Sequence, residues 1–361
     1  MSAVRVPRSL PPFKSQKLRS RLAQVLKVAF SGGLLLLLFS RIDISRFWTV
    51  ARQSSLKWLI VAVLTYVVAV LASSWRWHRL LRIQGVNMSY FASTESFIVA
   101  LFFNNFLPTN VGGDVMRIRD TAGPAGSSAC AATVVLADRI FGLCGLVLSA
   151  AIGASFATAA RLPFSVWWIW SGLAVGLSAG LLVLTVPAIL NRLSNTTLLT
   201  GTWLSNQLSA LATSLLRFRL APFGLAGVLA GSVFVQAANI AFYAAVSRAL
   251  SIHVEALDMA VIVPMAALAQ IVPVSINGFG VKEAAFTVLF QRIGVPPESA
   301  LLVSLESTAL ILAFSLLGAA AYILRKQPRE HGSAAQSSGG SGRLTLGPTL
   351  IHRSRVRPTD G

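Results

Sequence analysis

The sequence predicts an all-α polytopic membrane protein, with about six to eight transmembrane helices and two broken or re-entrant helix pairs forming a pseudo-repeat. Three observations carry this reading. Charged residues make up 12% of the 361-residue chain and hydrophobic residues 55%, with a mean hydropathy of +0.69; an ordinary soluble domain is about 25% charged. The apolar residues fall in runs of about twenty, the length that crosses a hydrocarbon core of roughly 30 Å. Two further apolar runs are too short to cross and end in proline and glycine followed by charged residues. Together these exclude a soluble enzyme.

Residues 22–40 follow a basic stretch as a secretory signal would, but the run is long and lacks a small-x-small cleavage site, so an uncleaved first span is expected. Lys27 lies near one end of it, where its stem can snorkel. Residues 56–74 form a second span, and the run Trp75-Arg76-Trp77-His78-Arg79 reads as an aromatic and basic interface anchor. Residues 94–107 are apolar but only about 21 Å long as a helix, and they lead into Pro108 and a glycine pair, the first candidate break. The apolar stretch 127–160 is interrupted by Asp138-Arg139. Residues 164–190 form a further span whose Gly172, Gly176 and Gly180 admit a close helix neighbour. Residues 191–219 suit an interfacial amphipathic segment. Residues 220–246 cross, with Gly227 and Gly231 as a second small-residue contact. Residues 256–274 are apolar but cut by Pro264 and Pro273, the second candidate break, and 301–324 form the last span. Three regions result: a basic segment at 1–21, a transmembrane domain at 22–325, and a Gly/Ser-rich basic tail at 326–361 that is too poor in apolar residues to pack and is expected to be disordered.

The formal charge of +19, from 31 Lys+Arg against 12 Asp+Glu, is concentrated at the two ends. Arg5, Arg8, Lys14, Lys17, Arg19 and Arg21 precede the first span, and seven Lys and Arg follow Leu324. By the positive-inside rule both termini are expected in the cytoplasm. Nucleic acid is not an expected partner, because the basic clusters flank spans, lack interleaved aromatics and match no base-reading motif. Cys130 and Cys144, about 21 Å apart if one helix holds both, are too far apart for a disulfide. The four histidines show no ligand spacing and no Walker A sequence is present, so no metal, cofactor or ATPase is implied.

The two breaks share a grammar. Asn105-Phe106-Leu107-Pro108, then Gly112-Gly113-Asp114 and Arg117, compares with Gln270-Ile271-Val272-Pro273, then Gly278-Phe279-Gly280 and Lys282-Glu283. Each is an apolar half-helix, a proline, a glycine turn and a charged start to the next helix, and such paired interruptions point to a transporter site between repeats. Acids at membrane depth sharpen the point. Asp114, Asp138, Glu283 and Glu306 each cost at least about 2.5–3.5 kcal/mol to insert and should face a partner or a watery cavity. Arg117 lies three residues beyond Asp114. Asp138-Arg139 and Lys282-Glu283 are sequence neighbours that cannot face each other on a helix and so bond elsewhere. Two uses are open: a polar cavity for a charged headgroup, with glycine N–H groups and Arg117 taking a phosphate, or internal ion pairs that fix helix register, with Asp114 capping its helix. Glu306, among Ser304, Ser307 and Thr308, could relay protons or bond a neighbouring helix. Asn104 reads as an inter-helix hydrogen bond.

The ordered set Asn105-Phe106-Leu107-Pro108, Gly112-Gly113-Asp114, Arg117, Asp138-Arg139 with Gly142, Pro273, Gly278-Phe279-Gly280, Lys282-Glu283 and Gly294-Val295 resembles the transmembrane domain of lysylphosphatidylglycerol synthases, the flippase-like family of bacterial inner-membrane proteins. The resemblance covers about residues 20–325. It implies movement of phospholipids, aminoacylated lipids or isoprenoid-derived lipids between leaflets, a bacterial inner-membrane location, and in one branch a link to hopanoid production. Lys282 stands where many relatives have arginine, which keeps the charge and loses the bidentate fork. The segment after the last span is low in complexity, so lysine transfer to lipid is not expected. The function expected is therefore flipping or scrambling of a phosphate-bearing or isoprenoid-derived lipid. Its alternatives are a membrane-embedded lipid-modifying enzyme using Asp114 or Asp138 as general base, and a non-catalytic membrane partner of a lipid-synthesis enzyme.

Overall fold

The computed structural model describes residues 52–107, 111–156, 216–218, 220–271 and 278–325, with Thr49 and Thr213. The expected spans at 22–40 and 164–190, most of 191–219, the tail at 326–361, and Pro108 and Pro273 of the breaks lie outside these residues. The chain divides into two units, Met1–Leu324 and Arg325–Gly361, and the helices described here belong to the first. Among the described residues every regular element is an α-helix, in the order α1 Leu56–Ile83, α2 Tyr90–Phe106, α3 Gly112–Ala125, α4 Ser128–Phe156, α5 Pro222–Ala249, α6 Ala256–Gln270, α7 Val281–Arg292 and α8 Pro297–Leu324.

Length sorts these helices into two kinds. α1, α4, α5 and α8 have 28, 29, 28 and 28 residues with apolar windows of mean hydropathy 1.7 to 2.1; at 1.5 Å per residue each is about 42 Å long, enough to span a bilayer. α2, α3, α6 and α7 have 17, 14, 15 and 12 residues and fall short of the roughly 30 Å core. The sequence long, short, short, long therefore occurs twice. Both short pairs are hairpins. In the first, Ser96 on α2 donates to Asp120 on α3 at 2.7 Å and Gly113 N–H donates to Asn104 Oδ1 at 2.9 Å. In the second, Gly278 lies against the Gln270 side chain. These are the two broken, short helix pairs expected from the sequence.

The two halves run in opposite directions. The start of α1 meets the end of α5, with Ser55 N–H donating to Ala249 O at 2.7 Å and Tyr66 packed on Phe242. The end of α1 meets the start of α5, where Trp77, Leu80 and Leu81 pack with Phe218 and Val228. α1 and α5 are thus antiparallel, and the repeat is inverted. Its register is constant: Asn105 and Gln270, Gly113 and Gly278, Arg117 and Lys282, and Gly153 and Gly318 are each 165 residues apart. The core repeats at the same interval, since Val70 and Val235, Trp77 and Phe242, Leu80 and Ala245, and Leu81 and Val246 are all buried. α1 and α5 also end alike, on positive-φ residues, Gly85 and Ser251, each followed by a bond back to the helix, from Val86 N–H to Leu81 O and from Ile252 N–H to Ser247 O.

Each half lends its last helix to the other. α4 crosses α6 where Gly153 lies on the Ala260 carbonyl, and α8 crosses α2 where Gly318 lies on the Ile98 carbonyl; a Cβ at either glycine would overlap that oxygen. Without a hydrophobic force between helices in lipid, such close backbone approach is what supplies the van der Waals contact. Pro264 does not cut the second half-helix as expected but lies inside α6. Its missing N–H removes the bond to the carbonyl four residues back, which is Ala260, so the freed oxygen is the one that Gly153 covers. The Asp138-Arg139 pair likewise leaves α4 continuous. Of the expected α5 glycines, Gly231 lies under the Trp75 ring, whereas a Cβ at Gly227 would meet no atom of the described residues within 4 Å.

Candidate functional site

The first hairpin carries a buried ion network. Asp138, on α4, is held from two directions: Arg76 Nε of α1 donates to Oδ1 at 2.8 Å and Arg117 Nη2 of α3 donates to Oδ2 at 2.8 Å. The three side chains are 8%, 4% and 3% exposed for Arg76, Arg117 and Asp138. Arg117 is further fixed by its guanidinium carbon lying 4.3 Å from the Trp77 ring centroid and 5.2 Å from that of Phe97, the cation–π arrangement that suits a planar, weakly hydrated cation. Arg117 Nε–H is buried and has no acceptor among the described residues. Arg139, adjacent to Asp138 but on another face of α4, reaches Asp114 in a two-pronged pair at 3.0 and 3.1 Å. Asp114 lies 3.9 Å from Arg117 Nη1. The expectation that sequence-adjacent charges bond apart from one another describes this pair but not Lys282 and Glu283, whose charged groups lie 3.9 Å apart.

A cavity of about 500 Å³ opens over the network, lined by Arg76, Arg117, Asp138 and Arg139 together with Asn104, Gln236, Ile271 and apolar side chains of α2 and α4. Two cations and one carboxylate are buried here and the Asp114–Arg139 pair is neutral, so these described residues carry one net positive formal charge.

The second hairpin builds a smaller cavity of about 160 Å³. Lys282 Nζ donates to Thr308 Oγ1 of α8 at 2.5 Å and lies 3.9 Å from Glu283 Oε1. Glu283, 0% exposed, accepts from Gly280 N–H at 2.6 Å and from Ser304 at 3.4 Å. Asn105, Gln270, Gly278, Tyr66 and Tyr243 complete the polar part of its wall, and Asn105 Nδ2 also donates to Ser315 at 2.6 Å. The charges cancel in this cavity.

The glycines differ from their expected part. Gly113 N–H is taken by Asn104 and Gly280 N–H by Glu283, so neither is open to an anion; Gly112 and Gly113 instead let α3 fold back against Leu107, Ala100 and Asn104. Asp114 sits in the first turn of α3, whose N-cap position is Val111, and its carboxylate accepts from Arg139. Asn104 forms the inter-helix bond read from the sequence. Glu306 is half-buried on α8 and lines neither cavity.

Sequence reasoning missed Arg76 and Trp77. They read as an interface anchor, but α1 continues to Ile83, so Arg76 lies about 10 Å inside the helix end and Trp77 is 0% exposed. The readable signal was Leu80, Leu81 and Ile83 prolonging the apolar face past the charged run. Tyr66, Tyr243, Ser304 and Thr308 were invisible as site residues because nothing local to them differs from span interior.

Fold and site together define a multi-pass membrane protein built as an inverted repeat with polar cavities at its broken helices. The family model for the lysylphosphatidylglycerol synthase TM region matches residues 24–323, and the chain belongs to that family. It is also similar to a UPF0104 membrane protein of Pyrococcus horikoshii, 26% identical over 118 residues, covering 32% of this chain and 35% of that protein; the alignment thus spans about a third of the relative's length. The matched region is the membrane part that gives the family its name, and it speaks to catalysis in neither direction.

Proposed function

We propose that this protein moves a lipid between the leaflets of a bacterial inner membrane, with both termini in the cytoplasm, and that the lipid bears an anionic, phosphate-type headgroup. The observation that carries this reading is the net positive formal charge, among the described residues, of the Arg76–Asp138–Arg117 network on the wall of a 500 Å³ cavity between apolar helices long enough to span a bilayer. An unbalanced charge there costs at least about 2.5–3.5 kcal/mol, and a monoanionic headgroup removes that cost while its tails stay in lipid. Arg117 Nε–H, buried and without an acceptor among the described residues, supplies a donor for such an anion after a small side-chain shift. The inverted repeat supports translocation specifically, because two opposed re-entrant hairpins meeting near the centre are how membrane transporters build a site reachable from either face. With the inside negative, outward movement of one negative charge is favoured by about 2.3 kcal/mol per 100 mV without ATP. An isoprenoid-derived lipid carrying a phosphate satisfies the same chemistry.

The test is leaflet exchange of fluorescent phospholipids in proteoliposomes, with anionic and zwitterionic headgroups compared. Exchange should favour the anionic lipid, and Arg117→Ala should slow it by tenfold or more, as loss of a charge-assisted hydrogen bond of about 1.5–3 kcal/mol requires. Asp114→Asn should act more weakly, through Arg139. Exchange indifferent to headgroup charge and to Arg117 overturns the reading. Absence of exchange together with a stoichiometric co-purifying lipid-synthesis enzyme would assign the chain the role of that enzyme's membrane partner.

A further inference from the structure

The two cavities are neighbours. Leu101 lines both, and consecutive residues at the tips of the broken helices face opposite sides of the partition: Asn104 and Ile271 border the first cavity, Asn105 and Gln270 the second. Their chemistry differs. The first is charged, whereas the second is neutral overall and bordered by hydroxyl, amide and paired groups. Two of these groups are idle. Tyr66 is 8% exposed and Tyr243 half-buried, both line the cavity, and neither hydroxyl has a hydrogen-bond partner among the described residues. Neither hydroxyl oxygen is among the fully buried polar atoms left without a partner, so both open onto the cavity, where a bound group can reach them. The ring of Tyr66 is already held by Phe242 and Phe314, so packing explains the ring and leaves the hydroxyl over. Lys282 and Glu283 cancel each other, which makes this a poor station for a free anion and a good one for a group that both donates and accepts.

We infer that the cavity bounded by Tyr66, Tyr243, Lys282, Glu283 and Thr308 is a second headgroup station, which reads uncharged hydroxyl groups by hydrogen bonds where the first reads phosphate by charge. It rests on the translocation reading only in taking the ligand to be a lipid headgroup. A headgroup passing Leu101 exchanges the arginines for the two tyrosine hydroxyls and the Lys282–Glu283 pair, so a lipid whose phosphate carries a hydroxylated substituent is held at both stations and one capped with an alkyl group only at the first.

The experiment measures binding, which does not depend on transport. Titration calorimetry of the full chain in detergent compares short-chain phosphatidylglycerol with short-chain phosphatidylethanol, two monoanions that differ in hydroxyl groups. The hydroxylated lipid should bind about tenfold more tightly, and in Tyr66→Phe, which keeps the ring, the ratio should fall below about threefold. Equal affinities in the wild type, or a ratio that Tyr66→Phe leaves intact, would overturn the second station. Leaflet exchange of the same two headgroups on long-chain lipids tests translocation separately: a Tyr66-dependent preference in binding without exchange retains the station and removes the translocase.

Discussion

At the first break Arg117 is gripped by Asp138, stacked on Trp77 and joined by Arg76, whereas at the second, 165 residues on, Lys282 reaches, among the described residues, only Thr308 and its own neighbour Glu283. The backbone plan is the same in both: a half-helix, a turn, a glycine in close contact with the half-helix, and a cation one turn further. What changes is what surrounds the cation. The positions 165 residues beyond Arg76 and Asp138 are Ala241 and Val303, so the second half has no extra guanidinium, and its buried carboxylate is Glu283, next to the cation in sequence rather than on a separate helix. Geometry is therefore a property of the repeat and charge a property of one half. Within an inverted repeat that difference makes the two hairpin cavities chemically unlike, which an exact repeat of the side chains would not.

The largest effect that can break this comparison is topological. The α1–α2 turn and the α5–α6 turn must lie on opposite faces if the halves are inverted. Asn87 and His253 are exposed in these turns. In a background with Cys130 and Cys144 replaced, Asn87→Cys and His253→Cys should react with a membrane-impermeant maleimide from opposite sides of oriented vesicles, all or none. Labelling of both from one side would make the halves parallel and remove the basis for two opposed stations.

The architecture was legible where it depended on length and periodicity. Spans, breaks and the shared grammar around Pro108 and Pro273 can be read because a bilayer imposes a length and a re-entrant turn imposes glycine. The inversion was not legible, since hydropathy carries no direction and the antiparallel contact of α1 with α5 is made by ordinary residues such as Tyr66, Phe242, Leu81 and Val228. At the site, Arg117, Asp138 and Arg139 stood out because charge is rare at depth, but their pairing did not. Asp138 pairs with Arg76 and Arg139 with Asp114, choices set by which helix faces meet in space. Pro264 misled because proline is read as an end, and here its vacated carbonyl is covered by a glycine of another helix.

The charge difference predicts unequal costs for neutralising the two acids. Asp138→Asn leaves two buried guanidiniums without their shared carboxylate, a loss of the kind that costs about 3–5 kcal/mol. Glu283→Gln also removes a buried acid, but an amide oxygen can still accept from Gly280 N–H, and the cation left behind, Lys282, keeps its bond to Thr308. Its cost should be smaller by at least about 1 kcal/mol, the value of an ordinary hydrogen bond. Thermal unfolding in a single detergent compares them. Equal shifts would mean that the second acid is as deeply committed as the first, and the contrast between the halves would then rest on Arg76 alone.

The smallest effect tests the likeness rather than the difference. Gly153 and Gly318 are equivalent in the repeat, and each presses on a backbone carbonyl of a half-helix from the other half, Ala260 and Ile98. A backbone oxygen cannot swing aside as a side chain can, so Gly153→Ala and Gly318→Ala should each force the crossing helices apart, at the roughly 1–3 kcal/mol typical of overpacking. Because the crossings are built alike, the two losses should agree within about 0.5 kcal/mol, and because they share no partner they should add in the double variant. A markedly larger effect at Gly153 would trace to Pro264, whose missing N–H leaves the Ala260 carbonyl with less to hold it in place once α4 withdraws; restoring that N–H with Pro264→Ala should then bring the two crossings back to equality.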